Sequence, residues 1–218
     1  MRRVAAAAAA MLAVWVIHDF ARSVDHDLRE FDAHEVARLE TAMWRSYYDG
    51  DRFQLFAEMS TLLRRQFQLP FWRSCLTAYH AARSAVIFQR GRDRGEYLRA
   101  LPDLVDYYGQ IHRASATPFD VQRVAQLELE WWIVHRQRDR YAPGALQLAL
   151  AELDAAIYGR PVLDFAVPAR LRAQAMLLRD TGGDWDRIAD LLDRSWAALY
   201  DIVNSGEARA IAAEPRIR

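Results

Sequence analysis

From residue 32 onward, apolar residues recur three and four apart over most of the chain, the spacing that lays a single stripe along an α-helix. Val36, Leu39, Met43 and Tyr47 form the first stripe. It opens on Asp32, with Glu35 completing an Asp-x-x-Glu capping box, and stops at Gly50. A second helix is predicted over 52–67, with Leu55, Met59, Leu62, Leu63 and Phe67 inward. Pro70 suits the first turn of a third, which carries Phe71, Trp72, Cys75, Tyr79, Ala82 and Val86 and ends near Gly91. The fourth is predicted over 96–113. Tyr97, Leu101, Leu104, Val105 and Tyr108 keep one face across Pro102, so a kink is expected there. No segment alternates apolar and polar residues between turn signals, so no strand is expected.

The pattern then repeats. FDAHEVARLETAMWRSYYDGDR from Phe31 and FDVQRVAQLELEWWIVHRQRDR from Phe119 share nine of 22 positions at an offset of 88. The offset returns late in each unit, where Tyr97, Leu104, Tyr108 and Ile111 align with Trp185, Leu192, Trp196 and Leu199. Between these anchors it slips by three residues, so that Leu62, Phe67 and Pro70 align with Leu153, Tyr158 and Pro161. The chain therefore reads as all-α, with two tandem pseudo-repeated four-helix units, about eight helices in all, closed as a bundle or stacked as a short solenoid. The first unit spans 31–114 and the second 115–204, with a juxtamembrane linker at 24–30 and a polar tail at 205–218 expected to fray.

Residues 1–23 carry an address signal. Arg2 and Arg3 precede fourteen apolar residues from Val4 to Ile17, six of them consecutive alanines. A basic start followed by an apolar run is the pattern of a signal peptide or signal-anchor. Ala21-Arg22-Ser23 is a passable cleavage site. An uncleaved anchor is the favoured reading, with the domain outside the cytoplasm; a cleaved, secreted or periplasmic form is the alternative.

Composition removes several classes. The 218 residues balance 29 basic against 29 acidic, so no basic excess points to nucleic acid. Every basic residue other than histidine is arginine, a bias expected of a GC-rich bacterial genome, and arginine pairs a buried carboxylate with a planar fork. Cys75 is the single cysteine, which excludes an intrachain disulfide and a cysteine-based zinc site. No phosphate loop, nucleophile elbow, His-Glu-x-x-His or haem-attachment motif occurs, so no reaction is predicted and an enzyme is disfavoured.

Candidate chemistry centres on Glu40 and Glu128, equivalent in the two units and placed within apolar stripes. A carboxylate buried alone is costly, so each requires an Arg, a Tyr hydroxyl or a Trp N–H from a neighbouring helix, with Arg83 a candidate. Three functions follow as expectations. The first is a membrane-tethered protein-interaction or scaffold module. The second is a carboxylate-based metal or cofactor site, or an enzyme, using Glu40, Glu128 and His135; here the span of Glu128 and His135, two helical turns, counts against one shared ion. The third is an apolar small-molecule or lipid pocket between the halves, rimmed by Trp131 and Trp132. No cofactor is predicted; a metal ion is the minor alternative. His80 and His112 read as hydrogen-bonded core histidines, and the i,i+4 pair His26 and Glu30 as a capped juxtamembrane turn of helix.

Overall fold

The computed structural model describes residues 1–22 and 24–213, with the side chains of 206–213 left out. It is almost wholly helical, and among the described residues the sole strand-like feature is an isolated bridge between His26 and Ser115. Helix α1 spans Arg2–Ala21, α2 Ala33–Asp49, α3 Arg52–Gln66 and α4 Phe71–Arg90. The short α5, Arg94–Tyr97, leads through a 3-10 turn at Leu98–Ala100 into α6, Leu101–His112. Helices α7, Val121–Arg136, α8, Ala145–Tyr158, α9, Ala166–Asp180, and α10, Trp185–Ala213, complete the chain.

Local chemistry explains the boundaries. Asp32 and Asp120 each accept a hydrogen bond from the backbone N–H three residues on, from Glu35 and Arg123, both at 3.0 Å. These are matching N-caps of α2 and α7. Gly50 ends α2 and Gly159 ends α8, each in the left-handed region at φ 75° and 63°, where a side chain would be strained. The kink expected at Pro102 lies just before it: the helix tightens into the 3-10 turn and restarts with Pro102 in its first turn, where its missing N–H costs nothing. Helix α10 continues past residue 204, where the tail was expected to begin, to Ala213; residues 214–218 of that tail, and Ser23 of the cleavage motif, lie outside the described residues.

Successive helices pack on one another from α2 through α10, and α10 packs back on α2, which closes the circuit. Two large apolar cores fill it, beside a small cluster of Ala175, Ile188 and Leu192 between α9 and α10. One joins α3, α4, α6 and α7 around Leu63, Leu104, Ile111, Leu129 and Ile133. The other joins α2, α8, α9 and α10 around Val36, Leu150, Phe165, Ala173 and Leu199. Each large core thus draws on both halves of the sequence. Trp131 and Tyr158 touch both cores and sit between them.

The stretch 24–31 is not helical, so His26 and Glu30 do not share a helix face. Instead His26 donates its N–H to the Ala114 carbonyl at 2.9 Å and accepts from the Ala116 N–H at 2.8 Å, binding the two linkers together.

Helix α1 is docked rather than free. Pro70 precedes α4 and offers no side-chain cap. Asp19 supplies it from α1: its carboxylate accepts from the backbone N–H of Trp72 and of Arg73 at 3.0 and 3.1 Å. Arg73 in turn donates to the carbonyls of Phe20 and Arg22 at the end of α1. Trp15 stacks on Phe71 and meets Trp72 edge-on. The rest of α1 is exposed; the whole helix, 20 residues with a mean hydropathy of 1.8, is long and apolar enough to cross a membrane.

Candidate functional site

A polar cluster lies at the centre of the circuit, built on Glu40 and Glu128. Glu40 is sealed, at 1% exposure. Its carboxylate accepts from Arg172 Nη2 of α9 and from Trp196 Nε1 of α10, both at 2.6 Å. Glu128 accepts from the Tyr108 hydroxyl of α6 at 2.7 Å and from Trp132 Nε1, one turn along α7, at 2.9 Å. The expected kinds of partner are therefore present, but the cation at Glu40 is Arg172; Arg83 faces Asp103 instead.

Two members of the cluster were not foreseen. Arg172 and Asp154 project inward from α9 and α8, within electrostatic reach of each other and of both glutamates. Asp154 has no hydrogen-bond or ion-pair partner among the described residues, and burial, reinforced by Glu128 and Glu40 and opposed by Arg172, pushes its carboxyl up to about 7. Burial works against the charge on Arg172, yet Glu40, Asp154 and Glu128 together hold its pKa above the usual arginine value. Burial likewise raises the phenols of Tyr107, Tyr108 and Tyr158, so all three are neutral donors.

Asp154, Arg172, Tyr107 and Tyr158 lie deep among the helices, yet each keeps part of its surface accessible; the Arg172 side chain keeps 28%. The Nε1 of Trp131 and the Nε of Arg172 are buried without a hydrogen-bond partner among the described residues. A surface pocket of about 270 Å³ is lined by Leu28, Arg29, Thr117, Ile157 and Tyr158, the last of these one helical turn from Asp154.

The remaining predicted site residues fall differently. His135 Nε2 lies 3.2 Å from Asp180, which also pairs with Arg138. That pairing takes His135 toward α9, so it does not join Glu40 and Glu128 as a ligand set. Burial holds its imidazole below the ordinary value, with Asp180 opposing. Trp132 is committed to Glu128. Glu40, Glu128, Asp154 and Arg172 stand within electrostatic reach of one another.

The same signal that singled out Glu40 was present for the missed pair. Asp154 falls four residues after Leu150 and three before Ile157, within the apolar stripe of α8. Arg172 falls between Ala169 and Met176 on α9 in the same way.

Fold and site together define an all-helical protein with a charged interior. Comparison with protein-family models, with curated proteins and with solved structures yields no match.

Proposed function

We propose that this chain is a membrane-tethered binding protein, its helical domain outside the cytoplasm, that captures a small organic cation such as a protonated amine inside the helical circuit. The observation that carries the reading is the charge imbalance of the interior. Three carboxyl groups, on Glu40, Glu128 and Asp154, share one cation, Arg172, and that cation is bonded to Glu40. Among the described residues Asp154 has no direct partner, and Glu128 has only neutral ones. An incoming ammonium group bonded to both would complete the site, with the faces of Tyr107, Tyr158 and Trp131 as aromatic walls suited to a cation. The pocket over Tyr158 is the way in.

The tether rests on the docking of α1. Cleavage after Ser23 would remove the Asp19 cap of α4 and the carbonyls that Arg73 binds at Phe20 and Arg22, which favours the uncleaved anchor. The duplication reading is supported by reciprocity. Trp196 and Tyr108 are equivalent at the offset of 88, as are Glu40 and Glu128, and each glutamate accepts from the aromatic of the other pair's helix set. Closure of α10 on α2 favours a closed bundle over an open solenoid.

Calorimetry on the full chain in detergent, titrated with putrescine, spermidine and choline and with magnesium as control, tests the reading. Binding of at least one organic cation, lost in Asp154→Asn and in Glu128→Gln, is the expected result. Absence of binding by all three, or binding indifferent to both substitutions, overturns it. A second reading, a protein-interaction module, is favoured by the α2–α3 corner, where Tyr47, Tyr48, Phe53 and Phe56 are exposed, Phe53 to 93%. Crosslinking in intact membranes from a photoreactive residue at Phe53 would report such a partner.

A further inference from the structure

Away from the interior, α4 and α6 bring together His80, Asp103 and Asp106, and we infer that these three side chains form a binding site for a divalent transition metal of the zinc type. Asp103 and Asp106 are three apart on α6 and so share a face. His80 meets them from α4, its Nδ1 lying 3.4 Å from Asp103 Oδ1 and 3.8 Å from Asp106 Oδ2. The three ligand atoms all fall within 4.8 Å of one another. Ligands at 2.0–2.1 Å around a tetrahedral zinc ion stand roughly 3.3 Å apart, so an ion fits between these atoms with small side-chain adjustments.

An independent feature is the state of Asp103. Its side chain is 6% exposed, yet its nearest partners are His80 and one Arg83 nitrogen, both at 3.4 Å. A buried carboxylate ordinarily holds charge-assisted bonds near 2.7–2.9 Å. Asp103 is thus a desolvated carboxylate whose hydrogen bond to His80 and ion pair to Arg83 are both long, beside a second carboxylate on Asp106. A metal ion bonded to all three would provide a close partner. The mix of imidazole and carboxylate selects zinc, cobalt or manganese over magnesium, which favours oxygen alone. Asp106 is 61% exposed, so the site faces solvent on that side and leaves a coordination position for water. Arg83 competes for Asp103, and at 57% exposure it is free to swing away.

The test is zinc titration of chelator-treated full-length protein by calorimetry, with cobalt absorption to report the ligand field. One zinc per chain is expected, lost in His80→Ala and weakened in Asp106→Asn, whose exposed position keeps the fold out of question. Arg83→Ala should tighten binding, an outcome that a damaged fold could not mimic. Zinc binding should survive Asp154→Asn, which separates this site from the interior one. Failure of the native chain to bind zinc, or binding that persists unchanged in His80→Ala, overturns the assignment.

Discussion

Replacing Glu40 with Gln tests the account of the interior most sharply. The substitution keeps the shape and removes the charge. Arg172 then faces an amide in place of the carboxylate it now binds at 2.6 Å, in a setting where Glu40 itself is 1% exposed. Stripping one partner from a buried ion pair costs about 3–5 kcal/mol, because the other charge is left desolvated. For a chain of this size each kcal/mol lowers Tm by about 2–4 °C, so a fall of roughly 6–20 °C is expected. Glu128→Gln is the matched control. Its partners, Tyr108 and Trp132, are neutral, so the loss is that of one ordinary hydrogen bond, about 1–1.5 kcal/mol, offset by relief of repulsion with Asp154. The double substitution Glu40→Gln with Arg172→Met should recover most of the loss, since both charges then leave together. Thermal and urea unfolding in detergent, followed by circular dichroism, give the three values. Equal costs for Glu40→Gln and Glu128→Gln would refute the assignment of Arg172 to Glu40, as would a double variant worse than the sum of its parts.

Further outcomes follow from other contacts. Because the Asp154 carboxyl is raised from 3.8 to about 7, the folded state holds its proton where the unfolded chain has lost it; stability should fall as pH rises from about 4 to about 7, and Asp154→Asn should flatten that slope in pH-dependent unfolding. The same group should release a proton when an organic cation binds below pH 7, seen as buffer-dependent heat in calorimetry. Asp19→Ala removes the cap of α4, and a loss of about 1 kcal/mol is expected, together with faster proteolysis between α1 and the domain. A Cβ on Gly183 would stand 2.4 Å from the Leu178 side chain and 2.6 Å from its carbonyl, whereas at Gly95 the nearest atom is a side-chain oxygen at 3.3 Å; Gly183→Ala should therefore cost about 1–3 kcal/mol and Gly95→Ala little, in the same unfolding assay.

Much of this fold was legible because its determinants are local. Asp32, Asp120, Gly50, Gly159 and Pro70 mark helix ends through contacts made within a few residues. The stripe positions of Glu40 and Glu128 were legible for the same reason, and so was the need for partners. The identity of those partners was not, since Arg172 lies 132 residues from Glu40 and Trp196 lies 156 away. Arg83 was a reasonable candidate by helix face alone, but α4 packs against α6, and that directs it to Asp103. Neither was the His80 cluster visible: it needs the register between α4 and α6, which no periodicity on one helix encodes. The Asp19 cap escaped because Pro70 looked like a helix start complete in itself.

The two glutamates differ in a way that bears on function. Glu128 shows that a carboxyl can persist in this interior on one Tyr hydroxyl and one Trp N–H, with no ion pair among the described residues. Glu40 accepts from Trp196, the equivalent of Tyr108 under the duplication reading, and from Arg172 besides. Under the duplication reading, with the three-residue slip through this stretch, the first unit carries Leu63 and Ala81 where the second carries Asp154 and Arg172. Leu63 is core, at 2% exposure. The first unit therefore fills with carbon the place where the second sets a charged pair. Structure alone does not ask for Asp154, because a well-packed apolar substitute for a buried ion is often neutral or stabilising. Asp154 is a carboxyl set in this interior at a cost in desolvation that raises its pKa, whereas the cost of burying Arg172 is offset by Glu40. Retention of such a cost is what a binding site requires, since the ligand supplies the missing partner. Replacing Asp154 by Leu, as in the first unit, should accordingly raise Tm while abolishing cation binding; a variant that lost stability instead would show that Asp154 serves the fold.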